Sequence, residues 1–468
     1  MTKKTRTCLF FLCVFLYFLS APSVVLYSQG YRLDWERKKI VKTGALYFKV
    51  LPKGAKVFLN GKFIKKTDFF FGSAFLENLL PRKYLVEIKK PGYQSWKKTL
   101  QTKEGQVTEA KNIVLLPKNL KLELLEKNIK DFFFLPNKTA MILKVKNTKN
   151  EKSWSLKLYD LKREIKSHLL DKEQISKNEV SLSNLILSTD EKRVILETEI
   201  KESPSSVSKR KFFLLNLDKN PPSLKDLDFL EGAKEVFFHP TDPQKLFFTK
   251  TKESSLALFL ADLEKETQTP LLENILCHKV SQNYIFWISK EGFLEKSDFF
   301  GKSQRISSEP FFKKEGNLKI EIFNSQIFLL ANNSLFLFDE DSKKFQKIAD
   351  QIKSLIISPD SKKICFWSDN EIWIFFLKEK LDQPVKEKGE KLFLTRFAKR
   401  IENVFWYTSH YLIFNVDSEI KIIEIDDRDE IQIWDLTNFK DPKMYWNQKD
   451  KKLYILSKES LFVSEKLL

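Results

Sequence analysis

From Asn119 to Leu468 the chain alternates short apolar runs with polar turns, and the pattern repeats. One unit begins Lys353-Ser354-Leu355-Ile356-Ile357 and turns through Ser358-Pro359-Asp360-Ser361-Lys362-Lys363. Ile364-Cys365-Phe366-Trp367 follows, then a turn at Ser368-Asp369-Asn370, then Glu371-Ile372-Trp373-Ile374-Phe375-Phe376-Leu377. It reads strand, turn, strand, turn, strand. Related units begin at Phe132, Leu185 and Val236, and weaker copies surround Tyr284, Ile327, Tyr411 and Leu453. About eight copies, roughly 34 to 53 residues apart, have the period of four-stranded β-propeller blades. Ile372 to Leu377 is apolar on both faces, as a strand clamped between neighbouring blades must be, whereas Glu419 to Ile425 alternates and predicts a half-exposed strand.

The last copy, Met444 to Leu468, supplies only three strands. Leu120-Lys121-Leu122-Glu123-Leu124-Leu125 is the candidate fourth, a splice that would join the two ends and remove open edges. Residues 118–468 are therefore expected to form a seven- or eight-bladed propeller, with stacked sandwiches or an irregular solenoid as rivals. Arg163 to Val180 is helix-compatible and is read as a long connection between blades.

Residues 8–28 form an apolar run of about 20, behind a short basic tail, residues 1–7, that carries Lys3, Lys4 and Arg6. A transmembrane anchor with a cytoplasmic N-terminus is predicted, so the lipid bilayer is a partner through residues 8–28. A cleaved signal peptide is the rival, because Ala21-Pro22-Ser23 offers small residues, but the run continues through Val24-Val25-Leu26-Tyr27. Arg32, Arg37, Lys38 and Lys39 blunt the charge asymmetry, and Tyr27, Tyr31 and Trp35 suit an interfacial belt. Residues 29–43 read as a juxtamembrane linker.

Residues 44–117 read as a small all-β module. Ala45 to Leu51 is a strand, Pro52-Lys53-Gly54-Ala55 a turn, and Lys56 to Leu59 a strand running into Asn60-Gly61, a two-residue hairpin signal. Tyr84 to Ile88 is a further strand, Pro91-Gly92-Tyr93 a turn, and Val107 to Leu116 the closing strand. This order resembles the PEGA domain, a small extracytoplasmic β-domain. The family motif falls on Pro52, Gly54 and Ala55, its hairpin on Asn60 and Gly61, and its Gly-Tyr turn on Pro91, Gly92 and Tyr93. Lys53, Asp68 and Arg82 depart from the pattern, and Phe69-Phe70-Phe71 reads as an insertion. The resemblance implies an envelope-facing accessory β-sandwich whose motif residues are structural. The propeller turns resemble those of WD-like and Tol-type propellers, without the Trp-Asp and Gly-His signatures.

Composition adds charge and little chemistry. A net charge of +19 favours anionic surroundings. The aromatic residues sit inside apolar strands and form no stacking platform, which makes nucleic acid an unlikely partner. With 42 Phe and 12 Gly, turns must rely on Asn, Asp, Ser and Lys. Cys8 and Cys13 lie in the apolar N-terminal run, and Cys277 and Cys365 read as buried thiols. His168, His239, His278 and His410 are dispersed, with no metal pair, nucleophile elbow or phosphate loop. Asp426-Asp427-Arg428-Asp429-Glu430 and Asp339-Glu340-Asp341 read as solvated hairpin turns and not as cation sites. No catalytic residue, metal or cofactor is expected.

The function expected is a non-catalytic, membrane-anchored, extracytoplasmic binding or scaffold protein of a bacterial cell envelope. Its propeller would bind an envelope protein or an anionic cell-wall glycan. The alternatives are an envelope enzyme, a glycan lyase or hydrolase with its site in the propeller channel, and a sensor or assembly factor for envelope proteins.

Overall fold

The computed structural model describes residues 2–147, 153–201, 203, 206–252, 255–311 and 316–468. An apolar helix, Lys3–Ser28, comes first; the Thr2 hydroxyl caps it by accepting from Thr5 N at 3.3 Å. Its 26 residues span about 39 Å, long and apolar enough to cross a bilayer, and no residue of it is buried. A hairpin follows, Tyr31–Asp34 with Lys39–Lys42. Arg32 ties it to the helix, its guanidinium 3.5 Å from the Tyr27 ring centroid, and donates to Asn78 Oδ1 at 2.9 Å. Arg82 holds the other end through Glu36 at 3.1 Å and Asp34 at 3.8 Å.

Two small sheets come next. One is ordered Ser73–Leu79, Gly44–Leu51, Val107–Val114, with the last pair parallel. The other runs Lys62–Lys66, Lys56–Leu59, Lys83–Lys89, Trp96–Gln101, all antiparallel. The inward phase of each strand supplies one core: Leu46, Phe48 and Val50 face Val57, Val86, Ile88 and Trp96. This core is continuous with Tyr411, Ile413, Ile422, Trp434 and Trp446 of the following body, so the module is packed onto that body and does not hang from it as a loose spacer.

The body is mainly β and propeller-like. We label its sheets in chain order: I, residues 129–171; II, 179–226; III, 236–305; IV, 318–349; V, 354–396; VI, 401–438; VII, 443–464. Six are four-stranded and antiparallel, and sheet III has seven strands. Sheet III is two four-stranded units sharing Thr267–Val280, which pairs with Ser255–Asp262 through its first half and with Ile285–Ser289 through its second. Sheet VII takes its fourth strand from the start of the body: Leu122–Lys127 pairs with Ser460–Ser464, as the splice predicts.

Two of the repeated turns share one hydrogen-bonding device. Ser358 Oγ donates to Asp360 and accepts from Lys363 N, while Asp360 accepts from Lys362 N and pairs with Lys363 Nζ at 2.6 Å. Ser188, Asp190, Lys192 and Arg193 reproduce this set in sheet II. Short polar side chains that bond their own turn stand in for scarce glycine here.

Three expectations are corrected. Arg163 to Val180 is no mere connection: Ile165–Asp171 is the outermost strand of sheet I, its polar residues reflecting an edge position. Glu419–Glu424 is buried at every residue after Glu419, because Ile423 packs on sheet V, and Ile420 and Ile422 share a core with sheet VII and the module. The acidic stretch 426–430 is a turn between strands, with Asp429 and Glu430 exposed as expected, but Asp426, Asp427 and Arg428 are half-buried and not solvated.

Candidate functional site

The strands of each four-stranded unit are antiparallel, so the first and third turns emerge at one end and the second at the other. The module docks on the end of sheets V and VI that carries first and third turns. Lys98 lies in phase with Trp96 and Leu100 on Trp96–Gln101 and points inward, fully buried. Its ammonium meets Glu424 Oε1 at 2.7 Å and donates to the carbonyls of Asp426 at 2.7 Å and Glu430 at 3.0 Å. Trp96 Nε1 donates to Glu424 Oε2 at 3.0 Å. Burial pushes the Glu424 carboxyl above its ordinary range, against the opposing pull of Lys98 and Trp96.

The acidic stretch is the receiving surface. Asp429 Oδ2 accepts from Thr99 N at 2.6 Å, and Asp427 pairs with Lys386 at 2.7 Å. Arg428 forks onto Asp426 and donates to the Glu109 carbonyl at 2.7 Å. Against burial, that fork holds the Asp426 carboxyl below its usual range. Gln383 exchanges bonds with Glu109 N and the Val107 carbonyl, both at 3.0 Å. The Asp339 stretch differs: its carboxylate bonds Ser342 and Gln346 within an exposed turn, as expected.

The motif residues of the module sit in its turns. Asn60 and Gly61 hold φ of 49° and 81°, and Asn60 bonds Leu85 through both its amide and its side chain. Pro52 and Gly54 flank the exposed turn that leads to buried Ala55. Gly92 and Tyr93 grip the exit towards the body: the Gly92 carbonyl accepts from Lys118 N at 2.9 Å, and Tyr93 bridges Pro117, with Pro91 exposed beside them.

A small cavity of about 30 Å³ lies in the junction, lined by Trp96, Lys380, His410, Tyr411, Glu424 and Asp426. Burial, aided by Lys363 and Lys380, pushes the His410 imidazole down to about 4. His278, stacked on Phe237 at 5.4 Å, is pushed by burial to about 4 as well, and His239 is lowered for the same reason. Lowered imidazoles stay neutral in the fold while the unfolded chain protonates near 6.5. Stability is therefore full above pH ~6.5 and lost as pH falls towards ~4, because the unfolded state binds more protons across that window. His278 and His410 each account for about 3 kcal/mol of that loss. The variant His278→Phe/His410→Phe should show a flatter dependence of the urea midpoint between those pH values; an unchanged slope would refute neutral burial. Among the described residues no cluster of three or more His, Cys, Asp and Glu is placed to hold a metal ion. His168 is exposed beside Asp171, and Cys277 and Cys365 are buried, with burial pushing the Cys277 thiol up to about 12.

The larger opening is a groove of about 970 Å³ between the second half of sheet III and sheet IV. The turns in its lining, residues 281–284, 324–325 and 340–343, are first and third turns, which places it at the end of the sheets that the module also occupies. Lys279, Lys296, Arg305 and Lys343 line it, against one carboxylate, Glu340. Lys279 is satisfied by Glu321 at 2.8 Å, whereas the nearest carboxylate to Arg305, Glu295, stands 3.9 Å away. Lys296 lies 3.5 Å from the Tyr284 ring centroid, and Phe286 and Phe338 add apolar surface. Cations interleaved with rings bind anionic, partly apolar chains. No sequence signal marked this groove, because its cations come from three different strands and one turn.

No family model and no curated protein matches this sequence. Among solved structures, the chain is similar to the β-propeller domain of Cps50 (Swd1) from Myceliophteria thermophila, at 11% identity and TM-score 0.41, covering 74% of this chain and 99% of that one. It is also similar to the WD40 domain of SCAP from fission yeast, at 13% identity and TM-score 0.46, covering 75% and 95%. An oligogalacturonate lyase in complex with manganese is similar at 12% identity and TM-score 0.37, covering 72% and 97%. Likeness at this level carries no functional weight, and the propeller-like description rests on the strand pairing of the chain itself.

Proposed function

We propose that this chain is a membrane-anchored, non-catalytic binding scaffold of the cell envelope. The helix Lys3–Ser28 anchors it, and the bulk of the chain lies outside the cytoplasm. The module, which we read as PEGA-like, and an eight-bladed propeller form its ectodomain. The blade count follows from taking sheet III as two blades that share Thr267–Val280. The observation that carries the binding role is the cationic, ring-lined groove on the module's face. Its charge suits an anionic segment of an envelope protein or of a wall glycan.

Photocrosslinking tests the reading. With benzoylphenylalanine in place of Tyr284 in the full chain, irradiated cells should yield an adduct with an envelope protein or wall polymer. Lys296→Glu/Arg305→Glu/Lys343→Glu should reduce its yield at least about tenfold, as loss of several charge-assisted contacts does. Adducts confined to cytoplasmic proteins, or insensitive to the charge reversal, would refute the assignment.

A further inference from the structure

The module carries a second surface that neither the junction nor the groove uses. Phe69, Phe70 and Phe71 form the tip of the loop after Lys62–Lys66 and are 80%, 75% and 73% exposed. The loop is built to hold them there. The Asp68 carboxylate accepts from the amides of Phe71 and Ser73 and from the Ser73 hydroxyl. Gly72 closes the turn at φ +69°, where a Cβ would stand 2.4 Å from the Val50 carbonyl oxygen, so only glycine fits. Lys53 Nζ donates to the Phe70 carbonyl, and Val50 N donates to the Gly72 carbonyl at 2.9 Å. Three phenyl rings are thus displayed on an ordered turn while contributing nothing to the core.

Charge surrounds them. Residues 44–73 contain Lys49, Lys53, Lys56, Lys62, Lys65 and Lys66 and a single acid, Asp68, which the loop itself consumes. The edge strand Lys62–Lys66 is exposed at every residue, Phe63 and Ile64 included. Edge lysines also keep such a strand from pairing with another, but that role does not require the rings. Protein interfaces are depleted in lysine, whereas rings that enter the acyl boundary, ringed by lysines that reach phosphate, are the composition of a bilayer-surface site.

We infer that the Phe69–Phe71 loop and its lysine collar dock on the anionic surface of the same bilayer that holds the helix. The inference rests on the anchor reading above. The loop lies at the Leu51 end of Gly44–Leu51 and the hairpin clasp at the Gly44 end, since Lys49 is opposite Ser73 and Gly44 opposite Leu79. These points are about 17 Å apart along the strand. Both reach one surface when the strand lies along it, and Trp35 and Ile40, 80% and 60% exposed on the hairpin, then fall at the same interface. Tethering supplies the effective concentration that a patch of three rings needs. Because the module core runs into sheet VI, this contact would also set how the groove faces the membrane.

The test uses the full chain in nanodiscs of anionic lipid, with an environment-sensitive dye on Phe70→Cys in a Cys8→Ser/Cys13→Ser background. Emission should shift to the blue and fall by more than about half when nitroxide lipids are placed in the same disc. The effect should be lost with Phe69→Ser/Phe71→Ser and weakened in zwitterionic discs. A dye on Cys13, in a separate preparation, reports the anchor. Quenching at Cys13 without quenching at position 70 overturns the docking alone; absence of both overturns the anchor and the docking with it. Quenching of position 70 only by separately added nitroxide vesicles places the contact on an opposing bilayer and overturns the proposal.

Discussion

Glu424→Ala is expected to cost about 3–5 kcal/mol, because it leaves a buried ammonium without its counter-charge. Lys98 is 0% and Glu424 1% exposed, and a water entering the vacated space would solvate the ammonium without supplying the lost charge. The same substitution strands Trp96 Nε1 and weakens the hold on Gln432 N, which donates to Glu424 Oε1 at 3.2 Å. The two carbonyls that also receive Lys98 cannot neutralise it. A companion variant separates charge from packing. Lys98→Met/Glu424→Leu removes both ions and fills similar volume; it still strands Trp96 Nε1, so it should cost about 1–3 kcal/mol, less than the single variant. Thermal unfolding and limited proteolysis read the outcome: the single variant should release a protease-sensitive module, and the double variant should not. Equal loss in both would mean that the pair acts through shape alone.

What was legible in this sequence follows from the range over which each feature is encoded. The repeats were legible because burial on both faces writes a continuous apolar run within a few residues, as in Lys363–Trp367, buried throughout. The closing strand was legible by counting, since Met444 to Leu468 holds only three. The junction was not, because the groups that bond residues 426–430 include Lys98 and Thr99, more than 300 positions away. One signal was present: Lys98 interrupts the apolar phase of Trp96 and Leu100, and a lysine in that phase demands a buried acid. The Tyr31–Lys42 hairpin was hidden in four-residue strands with no alternation to read. The two units of sheet III were legible at Val236 and around Tyr284, but their fusion was not, because Thr267–Val280 crosses from one to the next without a turn, through Asn274 at φ 58°.

Glu123→Pro/Leu124→Pro in the closing strand should lower stability by about 3 kcal/mol or more and promote self-association. Adjacent residues of a strand direct their amides to opposite sides, so one of the two prolines removes a bond to Ser460–Ser464 whatever the phase. The informative control is Gln346→Pro/Lys347→Pro in Lys344–Ala349, the outermost strand of sheet IV. The local loss of ladder bonds is similar in both. The topological loss is not, because the strands of sheet IV are consecutive in the chain and stay joined by their turns when the outer one frays. Leu122–Lys127 is the strand that ties the start of the body to its end, and without it Ser460–Ser464 becomes an open edge. Urea unfolding and light scattering should separate the two variants, with the seam variant both less stable and aggregating. Equal stability loss without aggregation would show that packing of Tyr454 and Leu461 on Ile129 and Met141 closes the body on its own, with the spliced strand as trim.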